Sequence, residues 1–237
     1  EQTPTTVSGT LPAGANSWDG IVQVTGDVTV PAGATLTIQP GTHVLVDGTV
    51  FGGGGSAGFD IIVASGGTLN APGTLAQPVS ITCSNASNRW GELNFQSGAN
   101  AALLQYCLIS RACHSPGGGH TGTGPMVRLA GTTIAFEDCV LSDSPGKTLT
   151  NTGNCDITFR RTHCARGVMG PELDGSALLI EDSNFTDMLD TYRESGAQDD
   201  EDGIYIHDSG GRTVLLSRSV FANTKDDAVD LLAGSLT

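Results

Sequence analysis

Short apolar stretches alternate with Gly, Thr, Ser and Asn along the whole chain, and few windows show the 3.6-residue periodicity of a helix. Stretches such as 102–109, 133–141 and 177–185 are rich in β-branched, aliphatic and aromatic residues and are bounded by turn residues. This pattern is typical of short strands, because β-branched and aromatic side chains fit a pleated surface. The chain is therefore predicted to be nearly all β.

The strands fall into a repeat that consists of a short strand, a turn, a second strand and a polar-x-apolar step. First strands are predicted at 91–95, 125–129, 147–150, 167–170, 203–207 and 228–232, and second strands at 102–109, 133–141, 156–164, 177–185 and 213–221. The first strands begin about 20 to 36 residues apart, a spacing that indicates a solenoid. Stacked coils pair such strands into parallel sheets about 4.8 Å apart. We predict a single-domain parallel β-helix of about nine coils over residues 1–237.

The N-terminal part carries a family resemblance. Residues 26–42 read GDVTVPAGATLTIQPGT, and the stretch 18–42 resembles the opening coils of secreted right-handed parallel β-helix (pectate-lyase-like) proteins. Later stretches at 145–147, 200–205 and 225–230 resemble β-helix regions of secreted proteins, some with spore-coat-type or lamin-tail-like modules. The resemblance covers nearly the whole chain and implies a right-handed β-helix that begins with opening coils in 1–42. It does not imply one activity, since this scaffold hosts polysaccharide lyases, hydrolases, adhesins and structural proteins.

Two units are longer than the others. The extra residues lie at 110–123 and 187–201, in both cases just before a first strand. In a solenoid, insertions at one corner of the coil decorate one face, which is often the binding face. We therefore expect the functional surface at this corner.

The net charge of the chain makes some classes of partner unfavourable. Acidic residues outnumber basic residues by 25 to 11, for a net charge of -14. Nucleic acid is an unfavourable partner for such a chain, because phosphates are bound through Lys and Arg. No apolar run approaches the roughly 20 residues of a membrane helix. The absence of a hydrophobic opening segment, the even number of cysteines and the sequons at Asn85 and Asn184 favour a secreted protein.

Two runs of acidic residues stand directly in front of apolar strands. Stacking would place them on neighbouring coils, and the carboxylates would then suit Ca²⁺, which takes 6 to 8 oxygen ligands. The predicted ligands are Asp199, Asp200, Glu201, Asp202, Asp226, Asp227 and Asp230. The alternative is a solvated acidic edge that keeps the solenoid soluble, because no standard calcium-loop sequence is present.

The same corner offers candidates for catalysis. If the protein is an enzyme, Lys147, Arg166, Lys225 and Asp202 are the predicted catalytic residues of a Ca²⁺-assisted lyase. A glycoside hydrolase would instead use Asp202 with Asp226, Asp227 or Asp230. Aromatic platforms for sugar stacking are scarce. A structural or adhesive module that binds Ca²⁺, and a polysaccharide or an extracellular protein, is therefore ranked above an enzyme. His114, His120 and His207 are interpreted as surface residues, and Gly117–Gly119 as a turn.

The cysteines predict a stacked column. Cys107 and Cys139 occupy equivalent places in consecutive coils, and Thr162, Ser183 and Ser219 continue the column. Stacked Cα atoms lie close enough for a disulfide, so a Cys107–Cys139 bridge is predicted. The alternative is a row of buried thiols that pack like small apolar side chains. Six cysteines allow 15 pairings, and the sequence does not choose among them.

The last stretch, 228–237, begins a first strand without a second strand to close the coil. An uncovered coil would expose apolar core and unpaired backbone groups. Three explanations are open: a longer chain, a domain of a larger protein, or a second subunit stacked on the end. The third predicts head-to-tail self-association into a filament.

Overall fold

The computed structural model describes residues 3–50, 57–116, 121–193 and 201–234. The strands form two sheets and are numbered here in chain order. The smaller sheet has eight strands: β2 (Gly14–Trp18), β4 (Ala34–Ile38), β7 (Thr68–Pro72), β10 (Ala102–Gln105), β13 (Thr133–Glu137), β15 (Asp156–Arg160), β17 (Ala177–Glu181) and β20 (Val214–Ser217).

The larger sheet has fourteen strands: β1 (Thr5–Thr10), β3 (Ile21–Val30), β5 (His43–Val46), β6 (Ile61–Val63), β8 (Val79–Cys83), β9 (Leu93–Phe95), β11 (Cys107–Ser110), β12 (Val127–Ala130), β14 (Val140–Thr152), β16 (His163–Asp174), β18 (Asn184–Met188), β19 (Tyr205–Asp208), β21 (Val220–Thr224) and β22 (Asp230–Leu231). The described residues also include a 3₁₀ helix, Asp190–Tyr192. No helix among them is long and apolar enough to cross a membrane.

Each coil contributes strands to three faces, and every pairing between the named strands is parallel. Face A contains β5, β8, β11, β18, β21 and the first halves of β3, β14 and β16. Face B contains β6, β9, β12, β19, β22 and the second halves of the same long strands. Face C is the eight-stranded sheet. The predicted parallel β-helix is confirmed.

The coil has three strands where the sequence predicted two. Each predicted second strand is a face C strand followed by a face A strand, with a sharp corner between them. The corner residue has a positive φ of 46–55° in five successive coils, at Tyr106, Asp138, Arg161, Asp182 and Arg218. A single left-handed residue turns the chain without adding a loop, so the apolar pattern runs on through the corner. This continuity concealed the third strand.

The interior is a stack of apolar side chains that point inward from all three faces. Strands such as β13 and β15 alternate buried and half-exposed residues, as expected when one face of a sheet is covered. Phe136 and Phe159 stack with ring centroids 5.1 Å apart, and Phe159 meets Phe185 edge to face at 5.4 Å. Such stacks add to the free energy of burial and hold neighbouring coils in register.

The corner between faces C and A contains the predicted column of Cys, Thr and Ser. The backbone N–H of Cys139 donates to Thr162 Oγ1 at 3.4 Å, and the N–H of Thr162 donates to Ser183 Oγ at 3.0 Å. The N–H of Cys107 donates to Cys139 Sγ in the same way, at 3.4 Å. Each small polar side chain thus satisfies a buried N–H of the preceding coil.

The predicted Cys107–Cys139 disulfide is corrected by the structure. All six cysteines lie in the described residues, and each is a buried, free thiol. In the column, Cys107 and Cys139 act as weak hydrogen-bonding groups, equivalent to the hydroxyls of Thr162 and Ser183 in the following coils. The alternative of a row of buried thiols therefore describes this corner.

Candidate functional site

The candidate site lies at the corner between faces A and B, which we call corner AB. The structure places both predicted insertions here, in the β11–β12 and β18–β19 connections. Two further long connections, β5–β6 and β8–β9, join them at the same corner. Their backbones contact one another: Gly58 N–H donates to His114 O at 2.8 Å, and Trp90 N–H donates to Arg111 O at 3.1 Å. Corner AB therefore carries a packed layer of loops.

Three predicted metal ligands meet at the C-terminal end of this corner. The carboxylates of Asp202, Asp226 and Asp227 each place an oxygen within 4.8 Å of the others. Asp202 is only 1% exposed, whereas Asp226 and Asp227 are exposed. Parallel pairing of Tyr205 with Asp230 puts these residues on adjacent coils, as the sequence predicted. Asp199 and Asp200 lie outside the described residues.

Asp202 has an unusual environment for a carboxylate. Its Oδ1 accepts the backbone N–H of Asp227 at 3.0 Å, and its buried Oδ2 has no hydrogen-bond partner among the described residues. The pKa of Asp202 is raised to about 6, mainly by burial and in part by the charges of Asp226, Asp230 and Asp227, against the lowering effect of the Asp227 N–H. A buried oxygen without a partner is costly, so this site favours a proton or a cation.

Glu201 and Lys225 belong to a separate network beside the three aspartates. Glu201 is fully buried and pairs through Oε1 with Arg193 and through Oε2 with Lys225 Nζ at 3.2 Å. Lys225 also pairs with Asp190 of the 3₁₀ helix. The carboxylate of Glu201 is therefore occupied by two cationic side chains, and this network fastens the 3₁₀ helix to the last coil.

Lys147 lies in the same column as Asp202, two coils earlier. It pairs with Met169 in register, and Met169 is level with Asp202 because Glu172 pairs with Tyr205. Two coil steps correspond to about 10 Å. Lys147 is buried and forms an ion pair with Glu172, whose other oxygen shares a 2.8 Å hydrogen bond with the imidazole of His207.

Arg166 is not in this column, and its predicted register is wrong. Ala165 pairs with Ser142 and Gly167 pairs with Ser144, so Arg166 lies within the face A part of β16 instead of preceding a face B strand. Its guanidinium donates two hydrogen bonds to Asp143, at 2.8 and 2.9 Å. The unit containing 163–174 has only one residue, Val168, between its face A and face B segments. Because this connection is so short, no loop residues mark the corner in the sequence.

A second carboxylate group at corner AB was missed. Glu92 is 2% exposed; its Oε1 accepts hydrogen bonds from Arg128 Nε at 2.7 Å and Asn94 Nδ2 at 2.8 Å. Its buried Oε2 has no partner among the described residues. Burial raises the pKa of Glu92 despite Arg128, and neighbouring Asp60 raises it further.

Asp60 completes this second group one coil before Glu92. Its Oδ1 accepts hydrogen bonds from Ser115 Oγ and from the backbone N–H of Glu92, and burial is the main cause of its raised pKa. Both carboxylates directly precede a face B strand, β6 or β9, just as the acidic run at Asp202 precedes β19. The position just before a strand was the signal in the sequence, but the first of the predicted strands, 91–95, begins after Asp60 and includes Glu92.

In a comparison with known proteins, a match was found only for part of the first half of the chain. Residues 17–103 match the family model of a pectate-lyase-like beta helix domain. No curated protein and no solved structure matches the chain. The matched region includes Asp60 and Glu92, whereas Asp202 and its neighbours lie beyond it. The parallel strands of the stacked coils form three faces, so the chain is a parallel β-helix. Its N-terminal part matches a pectate-lyase-like β-helix domain.

Proposed function

We propose that the protein is an extracellular β-helix module that binds Ca²⁺ at Asp202, Asp226 and Asp227 and, through this cation, an acidic polysaccharide. The supporting observation is the buried Oδ2 of Asp202, which has no partner among the described residues and belongs to a carboxylate beside two others. A divalent cation would satisfy this oxygen and offset the repulsion among the three charges.

The chemistry of the site favours Ca²⁺ over other common metals. Its ligand atoms are carboxylate oxygens, which suit hard cations. Asp226 and Asp227 are exposed, so a cation held there would keep coordination positions open to solvent. Ca²⁺ tolerates such irregular, partly hydrated geometry better than Mg²⁺. Asp230, on the following strand, is a fourth acidic group within electrostatic reach of Asp202.

An acidic glycan would depend on the bound cation, because the protein itself is acidic. A chain with a net charge of -14 repels a polyanion unless a cation lies between them. A partly exposed Ca²⁺ would supply that bridge, with uronate or sulfate oxygens completing its coordination. Weak Ca²⁺ sites of extracellular modules work at about 10⁻⁴ to 10⁻³ M, which fits a site with few protein ligands. A structural or adhesive role outside the cell is part of this proposal.

Calcium is expected to raise the melting temperature of the purified protein. At 10 mM Ca²⁺ and a dissociation constant near 10⁻⁴ M, mass action adds about 2.7 kcal/mol to the free energy of unfolding. For a chain of this size that corresponds to roughly 5–10 °C. Differential scanning fluorimetry in Ca²⁺ and in excess chelator measures it. Equal melting temperatures would leave the solvated acidic edge as the better interpretation.

Glycoside hydrolysis is the second candidate, and the Glu92 group is the observation that favours it. Glu92 has a raised pKa and a buried oxygen without a partner among the described residues, and Asp60 is a neighbouring carboxylate. A pair of neighbouring carboxyl groups, one of which donates a proton to the leaving oxygen, is what most glycoside hydrolases use to cleave the glycosidic bond. In this reading Asp202 and its neighbours hold Ca²⁺, and Glu92 protonates the leaving oxygen.

If the protein hydrolyses an acidic polysaccharide, Glu92→Gln is expected to lower the rate at least about 100-fold, because the amide cannot donate an acidic proton. The measurement is the release of reducing and unsaturated sugars from polyuronates, with Ca²⁺ and with chelator. Asp174→Asn, an exposed change on the same face, is the matched control. Activity that survives Glu92→Gln but is lost in Asp202→Ala or Lys225→Ala would instead indicate lyase chemistry at the Ca²⁺ site.

A further inference from the structure

Face A is bordered by charged residues whose sign alternates from coil to coil. Each of the strands β11, β14, β16, β18 and β21 lies between two residues of positive φ, one at the corner with face C and one near corner AB. In chain order these pairs are Tyr106 and Arg111, Asp138 and Asp143, Arg161 and Arg166, Asp182 and Asp187, and Arg218 and Asn223. Both ends of a strand have the same sign where both are charged, and successive coils alternate between positive and negative.

Within the chain, these residues form ladders along both borders of face A. Arg161 donates two hydrogen bonds of 2.8 Å to Asp138, and Arg166 donates bonds of 2.8 and 2.9 Å to Asp143. Both arginine side chains remain 47% exposed. A guanidinium has five N–H donors and a carboxylate accepts about four hydrogen bonds, so the ladder contacts do not saturate either group. The borders can therefore bind further charges from outside.

The surface between the two ladders is flat and partly apolar. Its row nearer face C is, in register, Leu108, Val140, His163, Asn184 and Val220. The row nearer corner AB has smaller side chains, at Ser110, Ser142, Ala165, Thr186 and Ala222. Leu108 is 45% exposed and Val220 is 51% exposed. Covering this surface would remove apolar area from water, and the small side chains allow a second flat surface to approach closely.

We propose that face A binds face A of a second copy of this chain, in a dimer whose two solenoids are antiparallel. The two-fold axis runs parallel to the strands, midway between β14 and β16. It places β14 of one copy on β16 of the other, β11 on β18, and β8 on β21. Asp138 and Asp143 of one copy then face Arg161 and Arg166 of the other, and the reverse contacts follow from the symmetry.

The charge pattern favours a second copy as the occupant. A chain with a net charge of -14 repels another copy of itself. The borders of face A, however, have no net charge, because their acidic and basic residues are equal in number: Asp138, Asp143, Asp182 and Asp187, with Arg111, Arg161, Arg166 and Arg218. Alternating signs are complementary to their own reverse when each coil faces one of opposite sign. A shift of one coil, about 4.8 Å, would place like charges together, so the pattern also selects the register.

The size of the contact predicts a weak dimer. The strands β8, β11, β14, β16, β18 and β21 overlap in this arrangement and present about 500 Å² per copy, from strand length and coil spacing. The total of about 1,000 Å² is at the lower limit of specific interfaces. We therefore expect a reversible dimer with a dissociation constant above about 1 μM. Its affinity should fall as salt screens the charged borders.

Sedimentation velocity over a range of protein concentrations tests the dimer, in chelator so that Ca²⁺ cannot bridge two copies. The positive variant is Asp138→Arg with Asp143→Arg, and the negative variant is Arg161→Asp with Arg166→Asp. In each variant alone, like charges face each other across the two-fold axis, so association should weaken at least about tenfold. In an equimolar mixture, positive strands face negative strands, and association should return to within about threefold of the parent. A role of these residues in folding alone would give no such rescue.

The control is Asp174→Arg with Asp208→Arg, which changes the net charge as the positive variant does, but at exposed positions of face B. It should associate at least as tightly as the parent. If a double variant does not fold, Asp138→Arg and Arg161→Asp alone serve the same mixing test, since each new residue already occupies the equivalent position of the adjacent coil. A parent that stays monomeric at high concentration and low salt would overturn the inference. A mixture that associates no better than its separate components would overturn it as well. Neither result depends on the proposed Ca²⁺ site.

Discussion

Replacing Asp202 with Asn is expected to stabilise the protein in chelator and to remove its stabilisation by Ca²⁺. The two effects have opposite signs because the same buried carboxylate destabilises the metal-free fold and holds the metal. The Asn carbonyl can still accept the Asp227 N–H, and its amide can donate to Asp226 or Asp227. The substitution therefore removes the charge and keeps the local hydrogen bonding.

The size of the effect follows from the pKa of Asp202. The folded-state pKa is about 6, whereas the ordinary value is 3.8, so the folded state binds the proton more tightly than the unfolded state. The stability from this proton is present below pH 4 and is lost as the pH rises towards the folded-state pKa. That loss is at most about 3 kcal/mol, and Asp202→Asn avoids it at pH 7. The expected gain in chelator is several degrees in melting temperature.

Thermal melts from pH 4 to 7.5, in chelator and in 10 mM Ca²⁺, measure both effects. Asp174→Asn is the control: it is exposed on face B, so we expect a change below about 0.5 kcal/mol and a normal response to Ca²⁺. In the parent, the Ca²⁺ effect should fade as the pH drops below 6, because the metal and the proton compete for Asp202. An Asp202→Asn protein that Ca²⁺ stabilises as much as the parent would show that this carboxylate is not a ligand.

The parallel β-helix could be predicted because the sequence repeats with each coil of the fold. Short apolar stretches at 20- to 36-residue spacing have few other ways to bury their side chains than by stacking. The same logic brought Asp202 together with Asp226 and Asp227, since two acidic runs preceding successive face B strands must become neighbours. Contacts between equivalent positions of adjacent coils could therefore be predicted from the sequence.

Contacts that depend on the exact register between coils could not be predicted from the sequence. Arg166 was assigned to the wrong corner because Val168 alone separates the face A and face B segments of β16. The third face was missed because one left-handed residue, such as Asp138 or Arg161, turns the chain within a continuous apolar pattern. The cleft lined by Arg89, Arg111 and Tyr192 lies between strand β14 and three connections of unequal length, and repeat spacing contains no information on how such connections pack.

Close stacking of backbones at corner AB leads to the last prediction, for Gly170→Ala. The N–H of Gly170 donates to Asp202 O at 2.9 Å, and the N–H of Gly203 donates to Asp227 O at 2.9 Å. A Cβ at Gly170 would overlap the carbonyl oxygen of Gly203, which is backbone and cannot rotate away. The next coil would have to move, and with it the segment that carries Asp202.

Gly170→Ala is therefore expected to cost about 3 kcal/mol or more, with a fall in melting temperature of roughly 6–12 °C. Because the displaced segment contains Asp202, the rise in melting temperature with Ca²⁺ should be lost as well. Gly167→Ala is the matched control three residues away, where the nearest atom to a Cβ is Met188 Sδ at 3.4 Å, an ordinary contact. Melts of both variants with and without Ca²⁺ measure the difference. If Gly170→Ala melts within about 2 °C of Gly167→Ala, the coils do not stack this closely and the three aspartates are not held together.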